Sequence, residues 1–165
     1  MKLITVDNFL DISYLNKFND YCLKEIPHNW GQYAIDPSKS FYYHHFEKDN
    51  EFINKIYLNV TNNIFKKILT KKPLHLRSYI NIQHEGMDSE LHSDEGDITV
   101  LLMVTPTPKK GGGEFQYINK QGNIQNIPYK QNRLIVFESK TKHKGLAYKE
   151  RNPRITLAFK NIIKK

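Results

Sequence analysis

The sequence predicts a mainly β protein of the α+β class: a double-stranded β-helix (jelly roll) with N-terminal supporting helices. Three observations predict it. Within residues 1–73, two runs carry apolar side chains three and four apart, the spacing of an amphipathic helix. After Pro73 that period gives way to about eight short runs punctuated by Gly, Asn and Pro, the texture of an antiparallel sandwich or barrel. The 165 residues contain no internal repeat, linker or low-complexity stretch. The expected organisation is a single domain over 1–165, with a helical support region over 1–73 and the β core over 74–165.

The elements follow in order. From Asp11 to Ile26, Ile12, Leu15, Phe18, Tyr21 and Cys22 fall on one helix face, and Pro27 ends the run because it cannot extend the hydrogen-bond ladder. Residues 28–46 include Trp30, Gly31, Pro37 and the cluster FYYHHF, and have no clean period. That cluster reads first as packing between helix and sheet, and second as the flank of a site entrance. A second helix is predicted over about 50–69, with Phe52, Ile56, Val60, Ile64 and Ile68 four apart. The strand runs are LHLRSYINIQ, SELHSDE, ITVLLMVTP, GEFQYIN, NIQNIPY, RLIVFES, KGLAYK and PRITLAFKN. In the first of these, Leu74, Leu76, Ile80 and Ile82 share a face broken only by Ser78. The other face carries His75, Arg77, Tyr79, Asn81 and Gln83. Such a polar row faces either solvent or a ligand cavity.

Composition narrows the function classes. Hydrophobic content of 39% with 12% aromatic residues excludes a disordered chain. Cys22 is the only cysteine, which excludes an internal disulfide framework and fits a reducing compartment. The opening MKLITVDNFL has too short an apolar run for a secretory signal, and no stretch is long and apolar enough to span a membrane. The expected location is cytoplasmic. The formal charge of +8 invites a nucleic-acid partner. Only four of the 25 basic residues are arginine, however, and the lysines are scattered, as at Lys66-Lys67, Lys109-Lys110 and Lys164-Lys165. A solvated basic surface is the preferred reading, with an acidic or nucleic-acid partner as the alternative.

The chemistry lies in the second half of the chain. His92 and Asp94 are two apart, so on an extended segment both side chains point the same way and can grip one ion. A third ligand must come from another segment, and His143, after RLIVFES, is the best candidate. Two neutral imidazoles and a carboxylate form the ligand set of a non-haem Fe(II) site that keeps open positions. His84 is the rival histidine, and Glu95 and Asp97 are the rival carboxylates. In PRITLAFK, Arg154, Thr156 and Ala158 share one face and Ile155, Leu157 and Phe159 the other. An arginine between apolar neighbours on a central strand needs a partner, because an unpaired buried charge is expensive. A ligand carboxylate supplies one, with the Thr156 hydroxyl adding a hydrogen bond. Arg151, in the turn KERNP, is the alternative cation.

HSD at 92–94, His143 and RIT at 154–156 resemble the iron/2-oxoglutarate oxygenase superfamily, particularly its prolyl 4-hydroxylase-like branch. GGGEF at 111–115 resembles the turn and strand that family places between its metal ligands. The resemblance covers roughly residues 74–165. It implies His92, Asp94 and His143 as catalytic iron ligands, and Arg154 as the clamp on the distal carboxylate of 2-oxoglutarate. It also implies Thr156 and Tyr79 as hydrogen-bonding partners of that carboxylate. The activity implied is a dioxygenase using Fe(II), 2-oxoglutarate and O₂, which hydroxylates a C–H bond and releases succinate and CO₂. The branch favours a prolyl or other amino-acyl or peptide substrate. A nucleic-acid-directed oxygenase and a cupin-like metal protein not using 2-oxoglutarate are the alternatives. One departure stands out: where some prolyl hydroxylases carry a further tyrosine, this chain has ITVLLMV, so Leu101 or Met103 would line the pocket.

Overall fold

The computed structural model describes residues 3–163, which leaves Lys164-Lys165 outside the described residues. The chain forms β1 (Ile4–Val6), α1 (Ile12–Lys24), β2 (Asn29–Gln32), β3 (Phe41–His45) and α2 (Glu51–Val60), then β4 (Leu74–Gln83) and β5 (Ile98–Met103). It continues through β6 (Phe115–Ile118), β7 (Ile124–Ile127), β8 (Leu134–Glu138), β9 (His143–Gly145) and β10 (Arg154–Ile162). One sheet runs β1-β8-β5-β10-β4-β3-β2, and a smaller one faces it in the order β7-β6-β9. All pairings are antiparallel. No helix among the described residues is long and apolar enough to cross a membrane.

Both helices start on caps legible in the sequence. Asp11 accepts from the Tyr14 amide and Asn50 from the Ile53 amide, each satisfying a first-turn donor that has no partner inside the helix. The second predicted helix is not uniform. After Val60 it widens into a π turn over Thr61–Phe65, and a last turn follows at Lys66–Ile68. Apolar residues strictly four apart drift around a 3.6-residue helix by about 40° per step. The wider turn takes up that drift and keeps Val60, Ile64 and Phe65 buried.

Two layers of core result. Leu15, Phe18, Ile53, Ile56 and Val60 from the helices pack on Ile80, Ile82, Val100, Leu102, Leu157 and Phe159 of the large sheet. Between the sheets lies a second cluster that includes Leu101, Phe115, Phe137 and Ala158. Alternation along β10 makes the division: Ile155, Leu157 and Phe159 face the helices, while Arg154, Thr156, Ala158 and Lys160 face the second sheet.

The first seventy residues, expected to be helical with an irregular insert, also contribute three strands to the large sheet. β1 pairs with β8, and β2 and β3 extend the opposite edge beside β4. The β2 pairing is short and broken by a bulge at Gly31, and mixed chemistry over 28–46 hides its period. The aromatic cluster divides between both expected roles. Phe46 lies in the helix-side core, and Phe41 lines the cavity described below. SELHSDE, expected as a strand, is a loop held against β9 by a bridge between His92 and His143 and by the Ser89 amide, which donates to the Gly145 carbonyl at 2.9 Å.

Candidate active site

A cavity of about 210 Å³ opens between the two sheets. Its walls include Arg77, Tyr79, Asn81 and Gln83 of β4, and Arg154, Thr156, Ala158 and Lys160 of β10. The polar row of β4 therefore lines a cavity rather than facing solvent. His75 departs from the row. A bulge displaces the β4–β10 register there, and His75 stacks on Tyr57 of α2, 4.4 Å between ring centres.

His92, Asp94 and His143 meet at this cavity, with one ligand atom from each lying within 4.8 Å of the others. Backbone bonds bring them together. The His92 amide donates to the His143 carbonyl at 2.9 Å, and the His143 amide donates back at 2.8 Å. The Asp94 amide then donates to the Ser139 carbonyl at 2.7 Å. Each imidazole is oriented by its far nitrogen. His92 Nδ1 lies 2.8 Å from the Glu90 carbonyl and His143 Nδ1 lies 2.9 Å from the Thr141 carbonyl. A carbonyl can only accept, so Nδ1 carries the proton and Nε2 keeps its lone pair. The two Nε2 atoms face the Asp94 carboxylate at 3.6 and 3.5 Å.

Protonation states suit a cation. Burial, against Phe115 and Phe137, pushes His143 down to about 4 despite the opposing pull of Asp94, so it is neutral at pH 7. Burial alone would raise the Asp94 pKa. The Lys160 ammonium and His143 outweigh it, and a hydrogen bond from Thr99 at 2.7 Å helps, so the net shift is downward. A neutral His143 and an ionised Asp94 are the forms that divalent-metal binding requires.

Arg154 lies at the Gln83 end of the same wall, 2% exposed. Its Nε donates to the Gly113 carbonyl at 3.1 Å and its Nη1 to Gln83 Oε1 at 2.5 Å. Room for the guanidinium comes from Gly145, where a Cβ would sit 2.9 Å from Nη1. The guanidinium has no carboxylate partner in hydrogen-bond range among the described residues. Next along the strand, Thr156 Oγ1 is buried with no hydrogen-bond partner, and so is Oδ1 of Asn81, its cross-strand neighbour. Buried polar atoms without partners cost about 1–3 kcal/mol each. A cationic fork beside orphaned polar atoms fits the distal carboxylate of a small diacid, with the metal triad in the same cavity. Tyr79 is buried opposite Ala158, between the Thr156 and Lys160 positions.

Of the rival residues, Glu95 alone lines the cavity. His84 packs edge-on against Tyr42, Glu95 pairs with Arg77 and Asp97 accepts from the Ile163 amide. Arg151 is exposed. Of the two residues weighed on β5, Leu101 reaches the cavity. Lys160, Asn81, Gln83 and Thr99 are cavity residues that sequence reasoning did not single out. Carrying the alternation of β10 one step past Ala158 would have reached Lys160, and Asn81 and Gln83 already stood in the polar row.

Comparison with solved structures agrees with this architecture. A Pseudomonas putida prolyl-4-hydroxylase superposes with a TM-score of 0.74 at 13% identity, covering 98% of this chain and 92% of that one. A Burkholderia pseudomallei oxidoreductase of the 2OG-Fe(II) oxygenase family gives 0.75 at 13% identity, covering 95% and 83%. A viral collagen prolyl hydroxylase from Paramecium bursaria chlorella virus 1, solved as its 2-oxoglutarate complex, gives 0.73 at 16% identity, covering 99% and 97%. A Trichoplax adhaerens prolyl hydroxylase, solved with a hypoxia-inducible-factor peptide fragment, gives 0.74 at 13% identity, covering 97% and 83%. No protein-family model matches the sequence, and no curated protein matches it. The prolyl 4-hydroxylase-like fold is thus shared at identities where sequence comparison finds nothing.

Proposed function

We propose that the chain is a single-domain Fe(II)- and 2-oxoglutarate-dependent dioxygenase that hydroxylates a C–H bond of a prolyl or other amino-acyl or peptide substrate. One observation carries the reading: a His-Asp-His triad and a buried arginine with orphaned polar neighbours share a single cavity in an oxygenase fold. When bound, iron, 2-oxoglutarate and O₂ together supply the oxidation, in which the co-substrate leaves as succinate and CO₂ and one oxygen atom enters the substrate. His92, Asp94 and His143 would hold the ion, with the Nδ1 bonds to backbone carbonyls keeping both lone pairs aimed at it. Arg154 would grip the distal carboxylate of the co-substrate, Thr156 would donate to it, and Tyr79 would close the site beside them. Phe115, Phe137 and Leu101 exclude water from the interior end. A cupin-like protein indifferent to 2-oxoglutarate would have no use for Arg154 and Thr156 in this cavity. The single, buried Cys22 suits a reducing, cytoplasmic setting.

Anaerobic titration with Fe(II) and then 2-oxoglutarate tests the proposal through the visible charge-transfer band of the chelated keto acid. The parent should show the band and Asp94→Ala should not. Arg154→Met should need at least about tenfold more 2-oxoglutarate, the loss of one charge-assisted contact, while still binding iron. Bound iron with no band in the parent would refute the oxygenase reading.

A further inference from the structure

Holding iron and 2-oxoglutarate leaves one buried cation of the cavity unused. Lys160 is 2% exposed on the cavity face of β10, six residues beyond Arg154. Its ammonium contacts Asp94 Oδ2, lies 3.4 Å from Thr99 Oγ1 and 5.6 Å from the centre of the Tyr79 ring. Neutralisation of Asp94 is the plain alternative, and an ion in the triad weakens it, because the ion draws on the same carboxylate charge. A divalent cation bound to Asp94 would also repel the ammonium. Lysine has a flexible four-carbon stem, so the ammonium can turn into the cavity while its backbone stays fixed.

The charges then do not close. Arg77, at the rim, is matched by Glu95. Inside, a divalent ion with Arg154 and Lys160 exceeds Asp94 by three positive charges, and the 2-oxoglutarate dianion cancels two. One buried positive charge is left over, and buried charge needs a partner. The cavity is also small, about 210 Å³, for a site that must take a five-carbon diacid and part of a substrate.

Resting on the oxygenase reading, we infer that Lys160 anchors a carboxylate of the primary substrate, so that the enzyme acts on a free amino acid rather than on a residue within a polypeptide. This narrows the amino-acyl class to its carboxylate-bearing members. It assigns a specificity role to a side chain that the metal and co-substrate do not need.

The test compares wild type, Lys160→Met and Lys160→Arg. The anaerobic Fe(II)/2-oxoglutarate band is measured first to give the iron and co-substrate affinity of each protein, because Lys160 also contacts Asp94, and turnover is then compared with both saturating. Succinate release and gain of one oxygen by mass are then read with three mixtures: the proteinogenic L-amino acids, their carboxamides, and prolyl peptides blocked at both ends. Free acids should stimulate wild type and the other mixtures should not. Lys160→Met should raise the KM for the active acid about tenfold or more, the loss of one charge-assisted contact, and Lys160→Arg should restore the preference for acid over amide. Equal turnover of amides or blocked peptides, stimulation by no free acid, or an unchanged KM in Lys160→Met would each overturn the inference. So would a large loss of 2-oxoglutarate affinity in Lys160→Met, which would make Lys160 a co-substrate clamp. Absence of the band from the parent would instead remove the oxygenase reading itself.

Discussion

The two faces of β10 are built from alternate residues of one strand and obey opposite rules. Toward the helices, Ile155, Leu157 and Phe159 are each fully buried among apolar neighbours. Toward the second sheet, Arg154, Thr156 and Lys160 are nearly as buried, yet carry two cations and an unpartnered hydroxyl. The first face gains stability from the area it removes from water. The second leaves polar groups short of partners, a cost that the helix-side core offsets and a ligand would recover. Stability and chemistry are therefore assigned to different residues one position apart.

Neighbouring substitutions should separate the two. Leu157→Ala would empty a fully buried site and should cost about 2–5 kcal/mol of folding stability, read as a lower denaturant midpoint. Any protein that remains folded should bind 2-oxoglutarate almost normally. Thr156→Val keeps the volume and removes a hydroxyl with no internal bond. Stability should be unchanged or slightly raised, while the 2-oxoglutarate concentration for half-maximal band intensity rises about fivefold to tenfold, the worth of one hydrogen bond. If Thr156→Val instead destabilised the fold and left co-substrate binding intact, the division between the faces would be wrong.

A smaller effect is expected where one cavity residue depends on another's lack of a side chain. A Cβ at Gly145 would lie 2.9 Å from Arg154 Nη1 and 3.0 Å from Nη2. The guanidinium cannot yield freely, because Gln83 and the Gly113 carbonyl hold it. Gly145→Ala should therefore weaken 2-oxoglutarate binding about threefold to tenfold, leave iron affinity unchanged and cost about 1 kcal/mol or less of stability. Titration calorimetry with the two ligands in turn reads both.

The faces also account for what could be read in the sequence. β4 and β10 were legible residue by residue, because a period of two with one apolar row is the signal a half-buried strand must carry. Their polar rows were ambiguous, since water and a ligand cavity select the same side chains. Only the second sheet, closing over that row, decides between them. The triad was legible through His-Ser-Asp spacing, although the segment that carries it is a loop. Its geometry comes from the His92–His143 bridge and not from strand alternation. β1, β2 and β3 were not legible. β1 and β2 are short edge strands and β3 is a short strand between β2 and β4, and runs of three to five residues are too short for a period of two to show. Lys160 lay one step beyond the stretch of β10 taken as functional. A lysine between Phe159 and Asn161 carries no mark of its own until Asp94 is seen beside it.

Charges held by neither face give the weakest effect and the last way to sharpen the contrast. Asp7, just after β1, accepts from Arg133 Nε at 2.6 Å and from Lys130 Nζ at 2.9 Å, across to the segment leading into β8. These two cations, Arg133 first, hold its carboxyl well below the usual carboxylate value of 3.8. A depressed folded pKa means stabilisation that is present in full above that value and lost as pH falls through the range below it. The Asp7 side chain is 36% exposed, so solvent screening limits the contribution to about 0.5–1 kcal/mol. Asp7→Asn should lower stability by that amount at pH 7, by progressively less below pH 4, and less again in high salt. Co-substrate and iron binding should not change. A larger loss that persisted in acid or in high salt would mean that β1 is pinned by packing around Asp7, through Ile4 and Val6 against β8, and not by its charge.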